Sequence, residues 1–148
     1  MIRSEAHLDK IDFTLKKLLK KHETNDIKKL IKYSGILLLH TELDDDTWGF
    51  TCRHKRITSI VINQNLTHET ATFVMAHELG HALLHKGVNT PFLRNVTTGT
   101  FIPRIEKEAN QFALKLLLNS FENYEAMTKY QILEALSLPD EMERFIKK

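Results

Sequence analysis

His77-Glu78-Leu79-Gly80-His81 is the stretch whose residue types and spacing could do chemistry. On an α-helix, residues four apart share a face and are separated by about 6 Å of rise. Two imidazoles placed this way can converge on one cation. Zinc accepts imidazole nitrogen at about 2.0–2.1 Å and prefers four ligands. Glu78 stands about 100° round the helix from His77, so its side chain can reach a water beside the ion without ligating the ion. An ion acidifies such a water toward a pKa of about 7, and a nearby carboxylate can take the proton. The water can then attack a polarised peptide carbonyl. Glu78 is therefore the candidate catalytic base, and His77 and His81 are candidate zinc ligands.

Two histidines and a glutamate can fall at this spacing by chance, but the surroundings argue for a shared ion. The flanks Thr72-Phe73-Val74-Met75-Ala76 and Ala82-Leu83-Leu84 are apolar, so the helix is expected to be central and buried. Buried imidazoles and a buried carboxylate need partners, and one cation serves all three. Gly80 costs about 1 kcal/mol relative to Ala in a helix interior, and its missing side chain would let another backbone approach beside the metal. His85 lies a further four residues on, about 12 Å along the axis from His77, too far to share the ion. It either lines the pocket or caps the helix end, where a cation is favoured; capping is the preferred reading.

A catalytic zinc needs a third protein ligand and an open position. The segment 104–119 offers Glu106, Glu108 and Asn110. Its apolar stripe is Ile105, Ala109, Phe112, Ala113, Leu116 and Leu117. At 100° per residue, Glu106 falls inside the edge of that stripe, while Glu108 points to the opposite flank beside Lys115. Glu106 is the expected ligand, with Glu108 as the alternative. Asn110, one turn on, can hydrogen-bond a ligand and hold its orientation.

The elements that must position these groups are legible from periodicity. Leu8, Ile11, Leu15, Leu18 and Leu19 predict an amphipathic helix over 5–22. Ile27, Leu30 and Ile31 predict a short second helix, with Gly35 past its end. Ile36–Leu39 reads as a buried strand, Asp44-Asp45-Asp46 as a turn, and Thr47–Arg53 and Ile57–Ile62 as two strands joined at Arg53-His54-Lys55-Arg56. The active helix is expected over Thr67–Lys86, capped by Thr67 and closed by Gly87. A loop from Gly87 to Pro103 precedes the helix 104–119. Shorter helices, one capped by Ser120 or Thr128 and one after Pro139, finish the chain. Helices, a small sheet, then helices again is an α+β order.

The 148 residues fit one domain able to bury a core. Its expected parts are N-terminal helices at 1–34, a catalytic core at about 35–120, and C-terminal helices at 121–148. A formal net charge of +2 gives no sign of direct nucleic-acid binding, and the lysines from Lys16 to Lys32 read as a solvated helix face. Cys52 is the single cysteine. It excludes an internal disulfide and suits a reducing cytoplasm, with a half-buried thiol expected in its strand. No segment has the apolar run of a signal peptide or a membrane span, so a cytoplasmic protein is expected.

His77-Glu78-Leu79-Gly80-His81 with Leu84-His85, followed by Ile105-Glu106-Lys107-Glu108-Ala109-Asn110-Gln111-Phe112-Ala113, resembles the ImmA/IrrE metallopeptidases of the gluzincin type. Gly35-Ile36, Trp48-Gly49 and Ile60-Val61-Ile62-Asn63 also fit, so the likeness covers about residues 27–140. It implies a minimal zincin-like domain, in which a small mixed sheet packs on the helix carrying the motif. It implies one Zn2+ per chain on His77, His81 and Glu106, with Glu78 as general base. Asn110 takes the place where many gluzincins have Asp. Members of this family cleave or inactivate helix-turn-helix repressors, and many are encoded on phages and integrative elements. The resemblance thus implies a repressor as substrate. An extended substrate would add to a sheet edge, the strand beside the active helix coming from Thr47–Arg53 or Ile57–Ile62. A donor for the oxyanion is expected too, with His85, Arg94 and Arg104 as candidates.

Two other readings remain at this point. One is an antirepressor that only binds the repressor and uses its metal structurally. Structural zinc usually has four protein ligands, often including cysteine, and only Cys52 is available. The other is a protease associated with DNA, which the weak net charge disfavours.

Overall fold

The computed structural model describes residues 2–86, 92–93 and 103–146, with backbone alone for 2–9 and 92–93. Two helices, α1 (Ile2–His22) and α2 (Ile27–Tyr33), lead into strands β1 (Leu37–Thr41), β2 (Thr47–His54) and β3 (Ile57–Asn63). Helix α3 (His68–Leu84), a short strand β4 (Phe92–Leu93), α4 (Arg104–Leu117) and α5 (Lys129–Ala135) follow. Short 3-10 turns lie at Tyr124–Ala126 and Asp140–Phe145. The fold is α+β, as the element order implies.

The sheet is mixed, in the order β1-β3-β2-β4. β1 runs parallel to β3, pairing Leu38 with Ile60, while β2 runs antiparallel to β3 and to β4. β3 is internal, and its Ile60, Val61 and Ile62 are buried. The β2–β3 hairpin turns at Lys55 and Arg56, both with positive φ (48° and 72°). That left-handed pair gives the tight turn whose twist matches the strands.

One face of the sheet carries α3. Gly49 on β2 makes the close approach possible: a Cβ there would lie 2.7 Å from the Val61 carbonyl oxygen and 3.0 Å from Val74 Cγ1. The opposite face is less covered, and this corrects the expectation of a buried strand at 36–39. β1 forms a sheet edge. With side chains alternating across the strand, Leu38 packs against the core while Leu37 and Leu39 are 53% and 50% exposed.

Caps match the sequence signals. The Thr67 side chain accepts from the Thr70 N–H at the start of α3, and Thr128 forms a reciprocal capping box with Gln131 on α5. α3 ends at His85 rather than Gly87, which lies outside the described residues. So does most of the expected loop 87–103, within which β4 forms a short edge strand that periodicity did not reveal. α4 packs along α3 through Phe112, whose ring fills the space beside Gly80: a Cβ there would stand 3.1 Å from the Phe112 ring. The close neighbour that Gly80 admits is thus a side chain, not the backbone expected. α1 is tied to α4 by Lys115 Nζ donating to Asp12 Oδ1 at 2.6 Å. Cys52 is half-buried, as expected. Among the described residues, no helix is long and apolar enough to cross a membrane.

Candidate metal centre

α3 and α4 lie side by side, and the seam between them gathers the histidine pair and Glu106. His77 and His81 are buried, as is Glu106. The two imidazole Nε2 atoms are 3.1 Å apart. Glu106 Oε2 lies 3.2 Å from His77 Nε2, and Oε1 lies 2.7 Å from His81 Nε2. Among the described residues these three side chains form a group able to hold one metal ion.

The hydrogen bonds behind the rings decide which atoms face the seam. Asn110 Oδ1, an acceptor, lies 2.7 Å from His77 Nδ1, so Nδ1 donates and the Nε2 of a neutral ring is left bare. On the other ring, His81 Nδ1 lies 3.0 Å from His85 Nδ1, and His85 Nε2 lies 2.7 Å from Glu108 Oε1. Imidazole lone pairs and carboxylate oxygens therefore converge on one point. Among the described residues, Glu106 Oε1 has no hydrogen-bond partner, though it is close to His81. A cluster of acceptors this tight requires positive charge between them.

The titration tendencies agree. Burial pushes the Glu106 carboxyl up, but contacts with His77 and His81 outweigh it and hold the group at about 2. Burial pulls His81 down, yet Glu106 and the nearby Glu78 charge raise it above the usual histidine value. Both directions mark a site that favours a cation, whether a proton or a metal. Two nitrogens and a carboxylate are the donor set of a catalytic zinc site. Ligands at zinc distances from one ion stand about 3.3 Å apart in a tetrahedron, so the spacing present fits with shifts of a few tenths of an ångström.

Glu78 is fully buried beside this cluster, with Oε2 3.9 Å from His77 Nε2. Its other oxygen, Oε1, accepts from the Thr51 hydroxyl at 2.8 Å. Among the described residues, Oε2 has no hydrogen-bond partner. Burial raises the Glu78 pKa, against the opposing pull of His77, His81 and Thr51. A carboxylate raised toward neutrality with one unbonded oxygen at a cation site is suited to moving a proton.

Thr51 was not singled out by the sequence. The signal was present: Gly49 and Thr51 share one face of β2, and a polar residue on a face packed against the histidine helix needs a polar partner there. Glu108 also differs from expectation. It turns to His85 and brings Oε2 within 3.6 Å of Arg104 Nε, while Lys115 pairs with Asp12. The reason is the course of α4 along α3, which sets its first turns beside the α3 C-terminus. His85 is the C-cap residue of α3, and its ring joins His81 rather than the ion cluster. Arg104 is largely exposed and engages Glu108, and Arg94 lies outside the described residues.

A helix with two histidines one turn apart, a glutamate between them, a sheet beneath and a carboxylate from the next long helix together define a metallopeptidase class. The chain belongs to the peptidase family described as the IrrE N-terminal-like domain, whose model matches residues 31–143. It is 38% identical over 117 residues to the uncharacterized immunity region protein 2 of Bacillus phage phi105, covering 79% of this chain and 73% of that protein. It is 32% identical over 124 residues to the metallopeptidase ImmA of Bacillus subtilis strain 168, covering 82% and 70%. No solved structure matches the chain significantly.

Proposed function

We propose that the chain is a zinc-dependent endopeptidase that cleaves a helix-turn-helix repressor in the cytoplasm and so relieves repression. The observation that carries this reading is the convergence of His77 Nε2, His81 Nε2 and the Glu106 carboxylate beside the unbonded Glu78 Oε2. The repressor as substrate draws support from the names of the relatives, one a metallopeptidase and one an immunity region protein. Residues 1–148 are taken as one metallopeptidase domain.

His77, His81 and Glu106 would hold one Zn2+. When bound, the ion supplies Lewis acidity to water and to the scissile carbonyl. Glu78 takes the proton of the attacking water on Oε2 and hands it to the departing amide nitrogen. Thr51 keeps Oε1 engaged, so the carboxylate presents one defined oxygen. Asn110 holds the His77 ring with its lone pair toward the ion. Neither Thr47–Arg53 nor Ile57–Ile62 is a sheet edge as expected, since β2 and β3 are both internal; among the described strands β4 is the edge beside β2, and an extended substrate adds there.

The test is turnover. The zinc-loaded chain is mixed with excess of a candidate helix-turn-helix repressor, and fragments are counted by mass spectrometry. Many cuts per chain are expected. Inactivation that stops at one repressor per chain, with no fragments, would instead identify a binding antirepressor.

A further inference from the structure

On its Nδ1 side the ring of His81 is not held by α4 directly, as that of His77 is held by Asn110. Between His81 and α4 stands His85, with Nδ1 3.0 Å from His81 Nδ1 and Nε2 2.7 Å from Glu108 Oε1. His85 is buried, and the Glu108 side chain is 14% exposed with Arg104 on its other oxygen. The mechanism above uses neither residue.

We infer that His85 and Glu108 are positioning residues for His81, fixing its proton on Nδ1 so that Nε2 stays bare for the metal. The inference rests on the metallopeptidase reading of the site and extends it. Its logic is the direction of the hydrogen bonds. An ionised carboxylate only accepts, so His85 Nε2 must donate to Glu108. A neutral His85 then has a bare Nδ1, which can only accept. His81 must donate to it from its own Nδ1, and the lone pair of His81 Nε2 is left facing Glu106 Oε1 and His77 Nε2 at 2.7 and 3.1 Å.

The need for such a device is chemical. A free neutral imidazole favours the proton on Nε2, the tautomer that cannot ligate through that atom. In this chain each ring is held in the other tautomer from behind: His77 by an amide oxygen one turn after Glu106, His81 by a histidine–carboxylate pair. The pair also links the two helices. His85 caps the end of α3 and Glu108 lies in the first turns of α4, so one contact sets both the ring's tautomer and the seam's closure at that end. Partners behind a metal ligand typically contribute about 10–100-fold to metal affinity.

The experiment uses the full chain labelled with 15N-histidine, metal-free and at alkaline pH, together with zinc affinity measured by competition with a chelating dye. In the wild type the His81 nitrogen shifts should report a proton on Nδ1. His85→Ala should move His81 toward the Nε2–H form and weaken zinc binding by about 10–100-fold. His85→Gln, whose amide oxygen can accept from His81 Nδ1, should recover most of the affinity where alanine does not. Glu108→Leu should resemble His85→Ala, while Glu108→Gln, still an acceptor, should fall between. A wild-type His81 protonated on Nε2 would overturn the inference. So would a His85→Gln variant no better than alanine, which is what mere packing would give. A wild type without zinc affinity would sink the metallopeptidase reading, yet the nitrogen shifts of the metal-free chain would still decide this inference.

Discussion

The amide oxygen of Asn110 lies 2.7 Å from Nδ1 of His77, joining the middle of α4 to the middle of α3 behind the candidate ion site. An acceptor there sets the ring's tautomer and its angle. Asn110→Ala should therefore weaken zinc binding by about 10–100-fold while the fold persists. Asn110→Asp should retain or tighten zinc binding, because a carboxylate is the stronger acceptor and makes the ring more basic. Chelator competition on the two variants checks both statements.

Thr51 supplies a hydrogen bond that lowers the Glu78 pKa against the larger upward push of burial. Thr51→Val removes the donor and keeps the shape. The Glu78 pKa should then rise further, and the acidic limb of the cleavage-rate profile should move to higher pH. Rates above that limb should change less. An unmoved acidic limb would show that Thr51 does not act on Glu78.

Gly80 faces the Phe112 ring at 3.1–3.3 Å from where a Cβ would sit. Alanine gains about 1 kcal/mol of helix propensity, which offsets much of that crowding. Gly80→Ala should thus be close to neutral. Gly80→Val adds two methyl groups against the ring and should destabilise by about 1–3 kcal/mol. Denaturant unfolding of both variants distinguishes crowding from a backbone requirement.

In the chelated protein, stability should depend on pH in two opposing ways. Glu106 is held at about 2, below its ordinary 4.5. Its contribution is complete above 4.5 and is lost as pH falls toward 2. His81 is raised above 6.5, so its contribution is present below 6.5 and is lost as pH climbs through the raised value. Metal-free stability should peak between these limits. Saturating zinc should add about 2.7 kcal/mol at a hundredfold excess over Kd, chiefly on the alkaline side where the ligands are deprotonated. Thermal melts across pH, with and without zinc, test this.

Much of the fold could be read from the chain because its signals are local. The stripe Ile105, Ala109, Phe112, Ala113, Leu116 reports one helix face, and Thr67 and Thr128 report caps. The wheel that put Glu106 inside the stripe also put Asn110 beside it, and both turn to the histidine helix. What escaped depended on partners far along the chain. Leu37 and Leu39 look like core, but only strand order reveals that β1 is an edge with an open face. Glu108 looks like a surface residue on the wheel of its own helix, and His85 like a simple cap. Their meeting depends on how α4 runs along α3, which no periodicity encodes. Thr51 belongs with these: its partner Glu78 is 27 residues away.

The most direct measurement pairs native mass spectrometry with repressor cleavage on the wild type, His77→Ala and Glu78→Gln. The expected result is one zinc per wild-type chain with turnover, no retained zinc in His77→Ala, and in Glu78→Gln one zinc still bound with cleavage reduced at least about a hundredfold. Undiminished cleavage by Glu78→Gln, or cleavage by a wild type stripped of every metal, would contradict it.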